Sequence, residues 1–377
     1  MSKKDIKDIK VDGILDYSLE LQNKEKVFIF ADFNSFEYCN LIASEIIKRG
    51  AVPYILWNDF MLNKSLIESK DAYIFNELFK EYEKLIDSCD VAIMLDNNIE
   101  KYEGIEHQDV IKFKNTYYLK IFKKIMSFER WVYLRYPQRE LAELFGLSYD
   151  EHLQLLEQVS NYDYESLHLK SEILKDILDS TEVIRVLNND GTNVEFSKKG
   201  IPTVVCCGKW NLPDGEVYTA PEKYSMNGII HFNVDTLFRS DIYKDIWVEV
   251  KNGKIISSRC NLDDQFKQIL DSDEGSRYFG EFAFGLNPFI KKNYNDNLFN
   301  EKMLKTVHFA IGEPHYNTDN GNKSIMHWDL IVNMENGGEI YFDGKLVQKN
   351  GIFTDERLLG LNGTSDNNYQ KRLSRNK

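Results

Sequence analysis

The stretch VFIFADFNSFEYCNLIASEIIKRGAVPYILW, residues 27–57, constrains the first half of the chain more than any other feature. VFIFAD is a short run of Val, Ile, Phe and Ala, which predicts a strand buried on both faces. SFEYCNLIASEIIKRG (35–50) then spaces its apolar residues near 3.6 and ends on Gly50, suited to the position just past a helix. AVPYILW (51–57) reads as the next strand. The pattern repeats in VAIMLD (91–96) and WVYLRYP (131–137), with FNELFKEYEKLIDSCD (75–90) and NTYYLKIFKKIMSF (115–128) as helices between them. Strand–helix alternation of this kind predicts a mainly parallel α/β sheet. VFIFAD runs into ADFNS rather than a glycine-rich turn, so a dinucleotide or phosphate-loop site has no support.

Residues 140–178 read as helical almost throughout, and His152 and His168 on them read as packing or surface histidines. After residue 180 the texture changes. EVIRVLNNDGTNVEFS (182–197) carries Asn-Asp-Gly between alternating segments, a hairpin signal. IPTVVCCGKW, GIIHFNVDTLF, DIWVEVKNGKIISSRC and GGEIYFDGKLVQKNG continue as short strands with Gly and Asn turns. The expected architecture is α/β plus α+β. An N-terminal α/β domain spans 1–179, a β-rich C-terminal domain spans 180–362, and 363–377 form a polar flexible tail.

Composition narrows the function classes. A net charge of −13 argues against a general nucleic-acid binder and against anionic membranes. No apolar run approaches the roughly 20 residues of a membrane span, and MSKKDIKDIK is not followed by the apolar stretch of a signal peptide. The 5 cysteines are odd in number and scattered, which points to reduced thiols and a cytoplasmic location. Cys206 and Cys207 read as small buried hydrophobes, since no CxxC spacing exists to hold zinc.

Of the 7 histidines, His308, His315 and His327 fall in KTVHFAIGEPHYNTDNGNKSIMHWDL (305–330). If IMHWDLIV is a strand, His327 and Asp329 project from one face and Trp328 from the other. His308 shares its face with Ala310, whose small side chain leaves room for an ion. Imidazole with carboxylate suits Zn, Co, Mn or Fe, and the lack of thiolates argues against a closed structural zinc site. Glu216 in LPDGEVYTAP and Glu281 in YFGEFAFGLNP sit in nearly uncharged company, so each is either exposed at a strand end or buried with a partner. With the two histidines and Asp329 they would serve two cations sharing a carboxylate, a pair suited to ionising a water. The aromatics nearby (Trp210, Tyr218, Phe282, Phe284, Trp328) fit a substrate pocket or core packing equally.

LPDGEVYTAP, GEFAFGLNP, TVHFAIG and SIMHWDLIV, in that order, resemble the thermophilic aminopeptidase family, the aminopeptidase T and S group of leucyl aminopeptidase-like metallopeptidases. VDGILDYSLELQNKEKVFIF, RYPQRELAELFGLSYDE and EIYFDGKLVQKNGIF extend the resemblance over nearly the whole chain. It implies a cytoplasmic, homodimeric, two-metal exopeptidase that releases N-terminal residues from peptides by attack of a metal-bridging hydroxide. The ions would be Zn, Co, Mn or Mg. The implied ligands are Glu216, Glu281, His308, Tyr316, His327 and Asp329. The family tyrosine lies seven residues after the first histidine, where this chain has His315. Tyr316, one residue on, is taken for that role, with His315 as the alternative. Glu301 matches an acidic position without an assigned role, and no proton-shuttling residue is singled out.

Two other readings remain. His308, His327 and Asp329 could form the facial triad of a mononuclear iron dioxygenase that opens hydroxylated pyridine rings, although Glu216 and Glu281 would then be superfluous. A metal-free binding or scaffold protein would predict loss of ligands, and only the tyrosine position is irregular.

Overall fold

The computed structural model describes residues 5–97, 104–238 and 241–363. The chain divides into two compact units, Met1–Tyr162 with Gly208–Pro213, and Asp163–Cys207 with Asp214–Lys377. Nearly all of the expected polar tail, 364–377, lies outside the described residues.

The first unit is built on a parallel sheet ordered Val52–Asn58, Lys26–Asp32, Val91–Leu95, Trp131–Leu134 and Asn211–Leu212. Val27 to Ala31 and Val91 to Leu95 are buried along their whole length, as continuous apolar runs require in a sheet covered on both faces. Phe28, Phe30, Ala92 and Met94 point to one side, where they meet Leu66, Ile67, Phe75, Phe113, Ile121 and Ile125 from the helices. Burying each such large side chain stabilises by roughly 1.5–3 kcal/mol.

The Phe36–Lys48 helix ends as expected at Gly50, whose φ of +76° is the left-handed conformation past a helix end. The helical expectation over 140–178 resolves into Arg139–Leu144, Tyr149–Ser160 and Tyr164–Asp179. A reciprocal Ser148–Glu151 capping box starts the middle helix. Two helices, Phe60–Ser69 and Asp263–Leu270, form where no helix is expected from the sequence. Among the described residues no helix is long and apolar enough to cross a membrane.

Among the described residues the second unit contains two large antiparallel sheets and a two-stranded ribbon, Thr236–Phe238 with Asp241–Tyr243. The larger runs Lys254–Arg259, Ile246–Lys251, Asn227–Phe232, Asn193–Ser197, Val183–Leu187, Glu339–Phe342, Lys345–Lys349 and Ile352–Phe353. Its Val183–Leu187 and Asn193–Ser197 strands are the two arms of the Asn-Asp-Gly hairpin. The smaller sheet runs His327–Asn333, Thr306–Gly312, Phe279–Gly285, Glu216–Thr219 and Val204–Cys206.

One face of the smaller sheet is apolar. Phe282 and Phe309 lie 5.1 Å and 6.0 Å from Phe196 of the larger sheet, and Phe232 packs 6.2 Å from Phe309. The two sheets therefore close over a shared aromatic core, with alternate residues left to face away from it. The first unit is α/β and the second is α+β.

Candidate metal centre

Register places the candidate ligands. In antiparallel pairs, directly opposed residues project to the same face. Glu281 stands opposite Ala310, and Ala310 stands opposite Asp329. Gly312 is opposite His327, Ala283 is opposite both His308 and Tyr218, and Gly285 is opposite Glu216. The face away from the aromatic core thus carries acids and imidazoles around four small residues, Ala283, Gly285, Ala310 and Gly312. The small side chains leave a hollow, and the ligand-type residues ring it.

A bulge between Phe279 and Glu281 re-aims the carboxylate into this hollow. Gly312 has φ +101°, and a Cβ there would sit 2.1 Å from the Met326 carbonyl. Only glycine permits so close an approach beside His327.

The distances are short. His308 Nε2 lies 3.2 Å from Glu281 Oε1 and 3.5 Å from Glu216 Oε2. His315 Nε2 and His327 Nε2 lie 3.1 Å and 3.3 Å from Glu281 Oε2, and His327 Nε2 is 3.4 Å from Asp329 Oδ1. Glu281 therefore faces two groups at once, one through each oxygen. Glu216, Glu281 and His308 form one cluster with ligand atoms within 4.8 Å of one another, and Glu281, His315 and His327 form another. Two divalent-cation clusters share a single carboxylate.

The ring of His327 is held from behind. Its Nδ1 donates to the Glu313 carbonyl at 2.6 Å, which turns Nε2 into the hollow. This is the outer hydrogen bond that orients a ligating imidazole. The loop before it is fastened by Asp273, which accepts from the Ser324 hydroxyl and the Ile325 amide.

Depth differs across the site. Glu281 and His308 are buried, whereas the His315 side chain is 48% exposed and that of His327 28%. The hollow opens on the His315–His327 side.

The donors fit cations. Burial alone would raise the Glu281 carboxyl, but the His308, His315 and His327 rings outweigh it and hold it well below the ordinary range. Burial would lower His308, yet Glu281, Asp329 and Glu216 push it up to about 9. His327 is likewise raised well above the imidazole range: burial opposes its charge, and Asp329 and Glu281 overcome that opposition. So dense a group of carboxylates draws positive charge onto any ring beside it, which is the demand that a pair of divalent ions meets. Glu281 Oε2 is buried and meets two imidazole Nε2 atoms, those of His315 and His327, an acceptor and two donors that a cation between them would join.

Glu216, Glu281, His308, His327 and Asp329 are brought together. Tyr316 is not: it begins a short turn and its side chain is 88% exposed. His315, one residue earlier, reaches Glu281 instead, and its ring lies 5.0 Å from that of Tyr218. Phe282, Phe284 and Trp328 turn to the opposite, core-facing side, as alternation along their strands dictates. Trp328 stacks on Phe238 at 4.1 Å.

Sequence reasoning missed two residues. Asp214 completes a third buried group with Cys206 and Glu216. Lys302 lies 2.5 Å from Glu216 Oε1 and 2.8 Å from Glu301 Oε1. Burial disfavours the Lys302 charge, but Glu216, Glu301 and Asp214 hold its pKa well above the lysine range. Burial pushes Glu301 up to about 8 against the pull of Lys302. Cys206 and Cys207 are buried thiols, and burial raises both.

A family model described as thermophilic metalloprotease (M29) matches residues 11–353. Aminopeptidase T of Thermus aquaticus is 27% identical over 153 residues, 36% of this chain and 36% of that protein. Aminopeptidase AmpS of Bacillus subtilis is 28% identical over 156 residues, 36% of this chain and 38% of that one. The matched stretch thus spans little more than a third of each curated relative. Among solved structures, wild-type AmpT from Thermus thermophilus aligns with a TM-score of 0.76 at 16% identity, covering 91% of this chain and 98% of that one. A 2,5-dihydroxypyridine dioxygenase from Pseudomonas putida KT2440 aligns with a TM-score of 0.59 at 12% identity, covering 95% and 99%. At these identities the two structures speak for the fold alone.

Proposed function

The chain belongs to the thermophilic metalloprotease (M29) family, and from that membership we propose that it is a dinuclear metal-dependent aminopeptidase. The observation that carries the reading is the sharing of Glu281 between two clusters of cation-binding side chains. Glu216 and His308 would hold one ion, His327 and Asp329 the other, and Glu281 both. His315 stands where a further ligand or substrate contact would come, at the open side.

Divalent ions held there would supply Lewis-acid activation of water and of the scissile carbonyl near neutral pH. The chain's own residues do the rest. Glu281 presents one oxygen to His308 and the other to His315 and His327, and its low proton affinity keeps both available as acceptors. The Glu313 carbonyl keeps His327 Nε2 inward. The buried floor formed by Glu281 and His308 excludes bulk water there, which strengthens each charge interaction. The open His315 side is where a peptide N-terminus would enter. The names of the aminopeptidase relatives support peptide substrates, and the family resemblance supports a homodimer in the cytoplasm.

A second reading has one observation behind it. The fold is shared with a ring-opening dioxygenase, and His308, His327 and Asp329 could hold a single iron. Glu281 lies between His308 and His327, however, and Glu216 adds another carboxylate on the same side. A single iron needs neither.

The test is metal stoichiometry per chain together with hydrolysis of a leucyl chromogenic amide before and after chelation. Two divalent ions per chain, with hydrolysis lost on chelation and restored by cobalt or zinc, is the expected result. One iron and no amide hydrolysis would overturn the aminopeptidase reading.

A further inference from the structure

Lys302 is the one lysine drawn into the acidic cluster around Glu216 among the described residues, and it is 1% exposed. Its place is built by the backbone. Gly285 stands opposite Glu216 in the strand pair, and a Cβ on Gly285 would meet the Met303 carbonyl at 2.1 Å. The absent side chain lets the segment carrying Lys302 lie directly against the sheet. Asn287, fully buried, donates its backbone N–H to the Lys302 carbonyl at 2.9 Å and its side-chain amide to the Asp214 carbonyl at 2.8 Å. Lys302 N–H in turn donates to the Phe299 carbonyl at 3.1 Å. These bonds hold the main chain at Lys302 in place, and from there its ammonium reaches Glu216.

The two oxygens of Glu216 are then divided. Oε1 receives the ammonium at 2.5 Å, and Oε2 faces His308 Nε2 at 3.5 Å. We infer that Lys302 is a positioning residue that occupies one oxygen of Glu216 and turns the other, alone, toward the cation site made with His308 and Glu281. This rests on the dinuclear reading of the site. A carboxylate with both oxygens free can rotate or chelate through both, whereas one anchored by an ammonium offers a single, directed donor. Glu301 Oε1 lies 2.8 Å from the same ammonium and accepts from it as well.

The experiment is calorimetric titration of the metal-free full chain with Zn²⁺ and with Co²⁺, comparing Lys302→Met, Lys302→Arg and Glu216→Gln. The unaltered chain is expected to bind two ions. Lys302→Met should weaken one of them by about 10- to 100-fold and leave the other within about threefold. Lys302→Arg should recover part of that loss. Lys302→Met combined with Glu216→Gln should bind no more weakly than Glu216→Gln alone, because both changes act through the same oxygen.

Equal weakening of both ions, or no weakening of either in a folded Lys302→Met protein, would overturn the inference while leaving the dinuclear reading intact. If Lys302→Met does not fold, Lys302→Ala, which likewise removes the donor to Glu216 and leaves space for water, is read by the same criterion. Fewer than two ions on the unaltered chain would remove the dinuclear reading and this inference with it.

Discussion

Ala310 stands directly opposite Asp329 in the strand pair, and its methyl group is the only side chain at that point in the row that runs on to Glu281. The hollow exists because this position is small. Ala310→Leu should fill it, with overpacking costing about 1–3 kcal/mol of stability. Metal content should fall well below that of the unaltered chain, and amide hydrolysis by at least about 100-fold. Metal analysis and denaturant unfolding on one preparation check both parts.

His315 and Tyr316 are adjacent but face different surroundings, and substitution separates them. Tyr316→Phe removes a hydroxyl from an exposed ring and should leave kcat/KM within about twofold. His315→Ala removes a ring 3.1 Å from Glu281 and should lower kcat/KM by roughly 10- to 100-fold. Steady-state kinetics at saturating metal would show the order, and a reversed order would return the tyrosine to the site.

Gly312→Ala should be costly for two reasons that act together. The residue has φ +101°, and an added methyl would lie 2.1 Å from the Met326 carbonyl. The expected destabilisation is about 2–4 kcal/mol. Because His327 is the residue opposite, metal affinity should fall as well. Thermal unfolding and metal titration report the two effects separately.

His152 lies far in sequence from the metal-site residues and gives the first unit a dependence on pH. It is fully buried, and burial, slightly offset by the backbone at Tyr136, lowers its pKa to about 4. An unfolded chain protonates histidine below about pH 6.5, whereas the folded chain keeps this ring neutral until about pH 4. The unfolded state therefore binds the extra proton in that window. Stability is whole above it, declines as pH falls through it, and levels off below it. The total is on the order of 3 kcal/mol. Urea unfolding at about pH 7 and about pH 4.5 should show a smaller decline for His152→Leu than for the unaltered chain.

The parallel sheet was legible because buried runs such as VFIFAD and VAIMLD carry their periodicity locally. The His327–Asp329 pair was legible for the same reason, since a spacing of two in a strand means one face. What escaped depends on register and loop geometry. No single segment tells that Glu281 faces Ala310, because a bulge two residues earlier sets that pairing. Choosing Tyr316 over His315 turned on one residue at the exit of a strand, where the turn decides which side chain looks inward. Lys302 sits beside a four-residue helix, and a charged residue there carries no local sign that it is buried. The Phe60–Ser69 helix was missed between two strongly patterned neighbours, although Asp59 caps it through the Leu62 amide.

The placing of ligands on strands, with a tethered loop between two of them, divides the molecule into parts that can and cannot change length over evolutionary time. One residue inserted within His327–Asn333 would exchange the faces on one side of the insertion, setting part of the strand with its wrong face to the hollow. One residue inserted between Tyr316 and Asp319 shifts no strand, because the Asn320 and Asn322 side-chain bonds, the Asp273 anchor and the Glu313–His327 bond lie outside that stretch. Related chains should therefore drift in length at this loop and nowhere within the strands that flank it.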